Sequence, residues 1–197
     1  MTSSAGPADL SLLPLLRHTR GNENDLQGGA VRLAALATIA CFAALAACAP
    51  TPRSVRLADG TEVFYLSNTS IQPAIFYPRP REIKVDGEAF IRASATAEPL
   101  IVRSRLMVLT VSGASALRVT ARSKETGEEA DVLYGHVEAR KAYPSRQNEP
   151  DTLLAGEEVM VNETIDLQEK ETTDLSSLRA WSEALVASAA QARESVH

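Results

Sequence analysis

Cysteine and histidine have the broadest chemistry of the residues in this chain, and both are scarce. Of 197 residues, two are cysteines, Cys41 and Cys48, and three are histidines, of which His136 alone lies away from the ends. A zinc-type site needs about four ligands, most of them nitrogen or sulfur. His136 and Glu138 have the His-x-Glu spacing of deaminases, but no downstream pair of cysteines completes that site. We therefore expect no metal and no cofactor.

Acid–base and nucleophilic catalysis have no better foundation in the sequence. A serine triad needs a histidine base that a carboxylate orients, and Ser112-Gly113 is predicted to lie in a β-turn. Glu128-Glu129 and Glu157-Glu158 are adjacent pairs, and neighbouring residues of a strand point to opposite faces. Such pairs do not converge on a substrate, so we expect that the protein is not an enzyme.

Cys48 carries the most specific chemical prediction. The residues directly before it are Leu45, Ala46 and Ala47, and they resemble the lipobox of bacterial lipoproteins. Small residues allow the signal peptidase to close over the backbone at the scissile bond, and the thiol carries the lipid. We expect Cys48 to be acylated and to hold the chain on a membrane through that lipid.

An uncharged stretch, residues 33–47, precedes this cysteine, and Arg32 stands before the stretch. It is about five residues shorter than a spanning helix prefers. A basic residue, a short apolar run and small residues are typical of a secretory signal. We expect a cell-envelope protein on the periplasmic side, with the outer membrane favoured because Ala49, and not Asp, follows the cysteine. The alternative is a single-pass protein of the inner membrane.

The pattern along the chain predicts five segments. Removal of the N-terminal segments leaves roughly 145 residues, which is enough for one domain. A leader as long as residues 1–30 is unusual before a secretory signal, which suggests that translation starts at Val31. The segments are a disordered leader at 1–30, a lipoprotein signal peptide at 31–48, a linker at 49–54, a β-domain at 55–170, and a C-terminal helix and tail at 171–197.

Short β-rich runs separated by turn signals about every ten residues fill the β-domain. The turn signals include Asp59-Gly60, Asp86-Gly87 and residues 124–127. This pattern predicts an all-β fold of many short strands, of the solenoid or sandwich type. Either Asp174 or Ser176 is predicted to cap a short C-terminal helix.

Two motifs of the β-domain resemble the FecR domain family. They read Leu-Ala-Asp-Gly-Thr-Glu-Val at residues 57–63 and Arg-Glu-Ile-Lys-Val-Asp-Gly-Glu-Ala-Phe at residues 81–90. Further matches at 99–102, 132–139 and 153–159 extend the resemblance over about residues 55–165. The residues of the family's turn motifs are Asp59, Gly60, Gly87, Glu88, Phe90 and Gly135.

The resemblance implies a periplasmic module that binds or regulates through protein contacts and does no chemistry. The chain departs from the family at residues 111–117, where a turn is altered, and in the short stretch before residue 31, which is too small for the family's cytoplasmic anti-sigma region. We therefore expect a FecR-domain lipoprotein with a protein partner in the envelope. Two alternatives remain: a transmembrane FecR-type anti-sigma regulator of signal transduction, and a lipoprotein that binds envelope polysaccharide or peptidoglycan.

Charge limits the partners further. The formal net charge of -5 gives no basic footprint, so we expect no nucleic-acid partner. Four arginines, however, are closely spaced: Arg79, Arg81, Arg103 and Arg105. They could meet phosphate or an anionic envelope polymer, and the protection of exposed edge strands explains them equally well.

Overall fold

Ten β-strands followed by one helix make up the part of the chain that the structure describes. This computed structural model describes residues 50–73, 81–96 and 98–195. The residues from Pro50 onward form one compact unit. The elements are β1 (Pro52–Arg56), β2 (Glu62–Leu66), β3 (Ser70–Pro73), β4 (Glu82–Ala93), β5 (Leu100–Arg103), β6 (Met107–Ala121), β7 (Gly127–Lys141), β8 (Asp151–Leu153), β9 (Glu157–Asn162), β10 (Leu167–Thr172) and α1 (Leu175–Glu194).

The strands form a single sheet in the order β1-β2-β4-β5-β6-β7-β9-β10. Strand β3 pairs with β4, β8 pairs with β7, and β4 also pairs with β6. All pairings are antiparallel except that between β4 and β5. The predicted all-β fold with a C-terminal helix is therefore confirmed. None of the helical segments in the described ranges is long and apolar enough to span a membrane.

Alternating apolar residues place the main core on one face of this sheet. Residues two apart along a strand point the same way, and β4 follows this rule with Ile83, Val85, Ala89 and Ile91 all buried. Valine and leucine side chains from the other strands complete the core cluster. They include Val63, Leu109, Leu117, Val132, Val137, Leu153, Val159 and Val161.

Strand β4 corrects one sequence prediction. The turn expected at Asp86-Gly87 is absent, and the strand runs without a break through both residues. Gly87 has φ +127, and a Cβ there would lie 2.5 Å from the hydroxyl oxygen of Thr69. That hydroxyl donates to the Glu88 carbonyl and accepts from the Glu88 N–H, both at 3.0 Å. The Asp-Gly pair therefore marks a bend within a strand, and not its end.

Strands β6 and β7 show the same effect. Each is fifteen residues long, whereas the sequence pattern predicted short strands with turns about every ten residues. The pairing register shifts between Ser112 and Ala116, which leaves extra residues in β6. Opposite this bulge, Gly135 has φ +100 and approaches Ser115 so closely that a Cβ would lie 2.1 Å from its hydroxyl oxygen. The bulge absorbs the predicted break, and both strands continue.

The ends of the domain also differ slightly from the predicted boundaries. Strand β1 begins at Pro52, inside the stretch predicted as a linker, and β10 extends to Thr172. Asp174 caps α1, as predicted: its carboxylate accepts from the Ser176 N–H at 2.9 Å. Hydrogen bonds from Ser176 and Ser177 lower the pKa of Asp174 to about 2.

A buried lysine fixes the turn between β9 and β10. The Lys141 ammonium donates to the carbonyl and the carboxylate of Asp166 at 2.6 and 2.7 Å, and to the Ser145 hydroxyl at 3.0 Å. These bonds hold Asp166 at φ +52, a conformation that residues other than glycine rarely adopt. The local strain is thus offset by an ion pair in which the lysine is buried and the aspartate is exposed.

Gly135→Ala tests the close approach of β6 and β7. We expect the free energy of unfolding to fall by roughly 3 kcal/mol, because the new Cβ meets both a positive φ and the backbone of Ser115. Gly113→Ala is the matched control: its φ is +64, but nothing lies within 4 Å of a Cβ there. It should cost about 1 kcal/mol. The free energies of unfolding are measured by urea denaturation. Equal decreases for the two variants would contradict the close approach of Gly135 to Ser115.

Candidate functional site

A hydrogen-bond network around Arg81 joins the two sequence motifs at residues 57–63 and 81–90. Its guanidinium pairs with the carboxylate of Asp59 and bonds the hydroxyls of Thr61 and Ser94 at 2.9 and 3.2 Å. It also bonds the Thr96 hydroxyl and the backbone carbonyl of residue 98. Hydrogen bonds from Thr61 and Arg81 lower the pKa of Asp59 against the opposing effect of burial. The Asp-Gly turn and the arginine of the second motif are therefore partners in one structural network.

The remaining motif residues are also structural. Gly60 occupies the β1–β2 turn at φ +89, and Gly87 and Gly135 allow close backbone approaches. Glu88 lies 3.6 Å from Arg122 as a loose ion pair. Phe90 packs edge-on against Trp181 of α1, with ring centroids 6.2 Å apart. Each of these motif residues therefore has a structural contact within the domain.

The face of the sheet opposite the main core carries the most distinctive chemistry of the described residues. Paired residues of neighbouring strands point to the same side, so the register assembles two rows across β4, β6, β7, β9 and β10. We call these two rows the outer face. One row is Glu88, Thr120, Glu129, Met160 and Glu169, and the next is Phe90, Arg118, Asp131, Glu158 and Glu171.

The outer face is strongly acidic. Its two rows contain six carboxylates and a single cationic side chain, Arg118. Carboxylate oxygens of Glu129, Asp131 and Glu158 lie within 4.8 Å of one another. Glu169 and Glu171 are exposed, and Met160 is 38% exposed beside them. The part of this face away from α1 is therefore an open, negatively charged surface with an apolar side chain in it.

Arg118 neutralises only part of this charge. It donates to Asp131 and Glu129 at 2.9 Å each, and its guanidinium lies 5.4 Å from the ring centre of Trp181. The Asp131 side chain is fully buried and also accepts from the Thr173 hydroxyl at 2.8 Å. Three carboxylates so close together can bind a cation, but the guanidinium already occupies two of them. The group is therefore an ion-pair network that connects the sheet to α1.

The surplus charge changes the acidity of the carboxyl groups. Burial raises the pKa of Glu158, and a hydrogen bond with Asp131 and repulsion from its charge raise it further. Burial and then repulsion from Asp131 raise the pKa of Glu129, against the attraction of Arg118. Two of the three groups thus hold their negative charge less readily than an isolated glutamate, because they are partly buried beside another carboxylate.

Other predicted site residues fall in different places. Cys48 and the residues Leu45–Ala47 lie outside the described residues, as does Arg79. Arg81 belongs to the Asp59 network, so the predicted basic rim divides: only Arg103 and Arg105 stay together, at the connection between β5 and β6. His136 is an exposed residue of β7. Its N–H donates to the Ser115 hydroxyl at 3.2 Å.

Sequence reasoning missed the outer face because its residues come from distant segments. One signal was available: Glu129 and Asp131, like Glu169 and Glu171, are two apart within strands and therefore share a face. The sequence could not show that these two pairs lie on adjoining strands and face the same side. Only the register of β9 between β7 and β10 brings them together.

The fold is similar to two solved structures of another bacterial protein. Two crystal structures of a proposed anti-sigma factor from Parabacteroides distasonis match this chain with a TM-score of 0.59 and 26% sequence identity. Each match covers 67% of this chain and 60% of that chain. The chain thus spans about three-fifths of the solved chains it matches. No protein-family model matches the chain, and no curated protein matches it.

Glu158→Gln tests the surplus charge through the pH dependence of stability. Because the folded-state pKa of Glu158 lies above its ordinary value of 4.5, the stability linked to its protonation is present below pH 4.5. It is lost as pH rises through the raised pKa. We expect Glu158→Gln to raise the melting temperature by a few degrees at pH 7, with the difference shrinking toward pH 4.5.

Glu157→Gln is the control, because Glu157 is adjacent to Glu158 in β9 and points to the opposite face of the sheet. A hydrogen bond from the Leu154 N–H and one from Lys170 lower the pKa of Glu157. Its contribution is therefore present above pH 4.5 and lost as pH falls through the lowered pKa. Glu157→Gln should lower the melting temperature at pH 7. Shifts of the same sign in both variants would contradict the repulsion assigned to Glu158.

Proposed function

We propose that this chain is a FecR-like lipoprotein of the cell envelope, whose folded domain regulates by contact with another protein and performs no catalysis. The observation that carries the proposal is the similarity to the proposed anti-sigma factor, at 26% identity over 67% of this chain. The two sequence motifs of the FecR family support it, because their residues form the Asp59–Arg81 network and the Phe90 contact with α1.

The proposed anchor is the lipid on Cys48. Leu45, Ala46 and Ala47 before it give the small-residue pattern that the signal peptidase needs. Strand β1 begins at Pro52, four residues after that cysteine, so the folded domain would sit directly against the membrane surface. A domain on so short a tether has few orientations, which favours a partner in or at the same membrane.

The outer face is the proposed contact surface, and its partner is a protein with a basic surface. Charge complementarity is the reason: the face has six carboxylates and one guanidinium, and burial together with the neighbouring Asp131 raises the pKa values of Glu129 and Glu158. Lysine or arginine side chains of a partner would balance the negative charge of the face and steer the encounter. Exposed Met160, between Glu129 and Glu169 in its row, offers the apolar contact.

A transmembrane anti-sigma regulator is the second candidate. The similarity to an anti-sigma factor favours it directly. In that case residues 33–47 would stay in the membrane, and the stretch before them would remain in the cytoplasm. The two candidates make the same prediction for the outer face and opposite predictions for the N-terminus of the mature chain.

Charge reversal on β10 tests regulation through the outer face. In cells that lack the chain, expression of the wild type should restore the transcript profile, and Glu169→Lys with Glu171→Lys should not. Glu98→Lys with Glu149→Lys is the matched control, because it makes the same change of charge at exposed acids away from that face. The readout is genome-wide transcript abundance, with membrane levels of each variant measured in parallel. Full restoration by both double variants would contradict the proposed surface.

A further inference from the structure

A cleft on another side of the domain has the chemistry of a small-molecule site. It has a volume of about 450 Å³, within the range of ligand pockets. It lies between β3, the middle of β4, the β5–β6 connection and the start of β7. The polar side chains that matter here are Gln72, Lys84, Asp86, Arg103, Ser104 and Glu128.

Glu128 is the unusual residue of this cleft. It is 3% exposed, and its Oε2 accepts from the Leu106 N–H at 3.0 Å and from the Ser104 hydroxyl. Its Oε1 is also buried and has no hydrogen-bond partner among the described residues. Burial raises the pKa of this carboxyl group. A buried carboxylate oxygen without a partner is costly, so a donor, best of all a cationic one, would stabilise it.

Cations lie around the same cleft. Arg105 donates to Glu163 at 2.5 Å and also to the backbone of residue 125, so its guanidinium is engaged. Arg103 contacts Glu82 through its Nε at 3.0 Å, and its side chain is 40% exposed. Lys84 is exposed and has no ion-pair partner in the parts of the chain that the structure describes. Lys84 and the terminal nitrogens of Arg103 therefore remain able to bind an anion.

We propose that this cleft binds a small zwitterion, with its ammonium group on Glu128 and its carboxylate or phosphate on Lys84 and Arg103. A single molecule with both charges satisfies the buried acceptor and the exposed cations together. An anion alone would leave Glu128 unpartnered and would be repelled by it. A cation alone would leave Lys84 and Arg103 unsatisfied. Amino acids and amino-sugar phosphates share this pair of groups.

The Glu128 end of the cleft lies on the side of the sheet opposite the outer face. Glu128 points to the side of β7 opposite Glu129, because adjacent residues of a strand alternate. The two sites share that strand, so a ligand on Glu128 would act directly behind the acidic surface. The sequence alone gave only the adjacent pair Glu128-Glu129, and the structure assigns each member to a different surface.

Calorimetric titration of the full chain in detergent micelles tests the proposal. The probes are L-glutamate, D-glutamate and glucosamine 6-phosphate, with inorganic phosphate and ethanolamine as the single-charge controls. We expect at least one zwitterion to bind with one-to-one stoichiometry and a dissociation constant below about 1 mM, with both single-charge probes at least about tenfold weaker. Preference for glutamate or for glucosamine 6-phosphate distinguishes the amino-acid source from the amino-sugar source.

Two variants assign the binding to these residues. Lys84→Gln alters an exposed side chain and should weaken zwitterion binding by about tenfold without affecting folding. Glu128→Gln should remove the advantage of the zwitterion over phosphate. Lys170→Gln, a strand lysine outside the cleft, should bind like the wild type. No saturable binding of any zwitterion up to about 10 mM, equal binding of inorganic phosphate, or equal loss in Lys170→Gln would each overturn the assignment.

Discussion

The fold depends on the return of strand β4 to its own starting point. Arg81 stands directly before the strand and Ser94 directly after it, yet their side chains are hydrogen-bonded at 3.2 Å. A straight strand between these residues would separate them by roughly 40 Å, far beyond the reach of one side chain. The strand must therefore coil sharply, and Gly87 at φ +127 lies at its middle. The Arg81 network fastens the two ends, and Gly87 permits the bend.

The coiled strand determines where the other elements lie. One edge of β4 pairs first with β3 and then with β2, and the other edge pairs with β5 and then with β6. The bend thus provides partners for four strands from a single central one. Alternation along the strand directs Phe90 outward, where Trp181 of α1 covers it, while Ile83 and Ile91 face the core. The helix closes that half of the outer face and leaves the acidic half open.

Local signals predicted the features that depend on nearby residues. The Asp59-Gly60 turn, the Asp174 cap and the all-β pattern each arise from residues within a few positions of one another, and the structure contains all three. The predicted turn at Asp86-Gly87 failed because glycine at positive φ serves a bend within a strand as well as a turn between strands. The outer face and the Glu128 cleft were not predictable, because both assemble residues from strands that are distant in sequence. The predicted cluster of arginines was wrong for the same reason, because Arg81 pairs with Asp59, which lies 22 residues away in sequence.

The most direct test of the account is the mass of the mature N-terminal peptide isolated from membranes, for the wild type and for Cys48→Ala. If the chain is a lipoprotein that acts through its folded domain, the wild-type peptide begins at Cys48 and carries acyl chains, and Cys48→Ala retains the residues before position 48. Cys41→Ala should leave the acylated peptide unchanged. An unacylated wild-type chain that retains the residues before Cys48 would contradict the lipid anchor and would favour the transmembrane regulator.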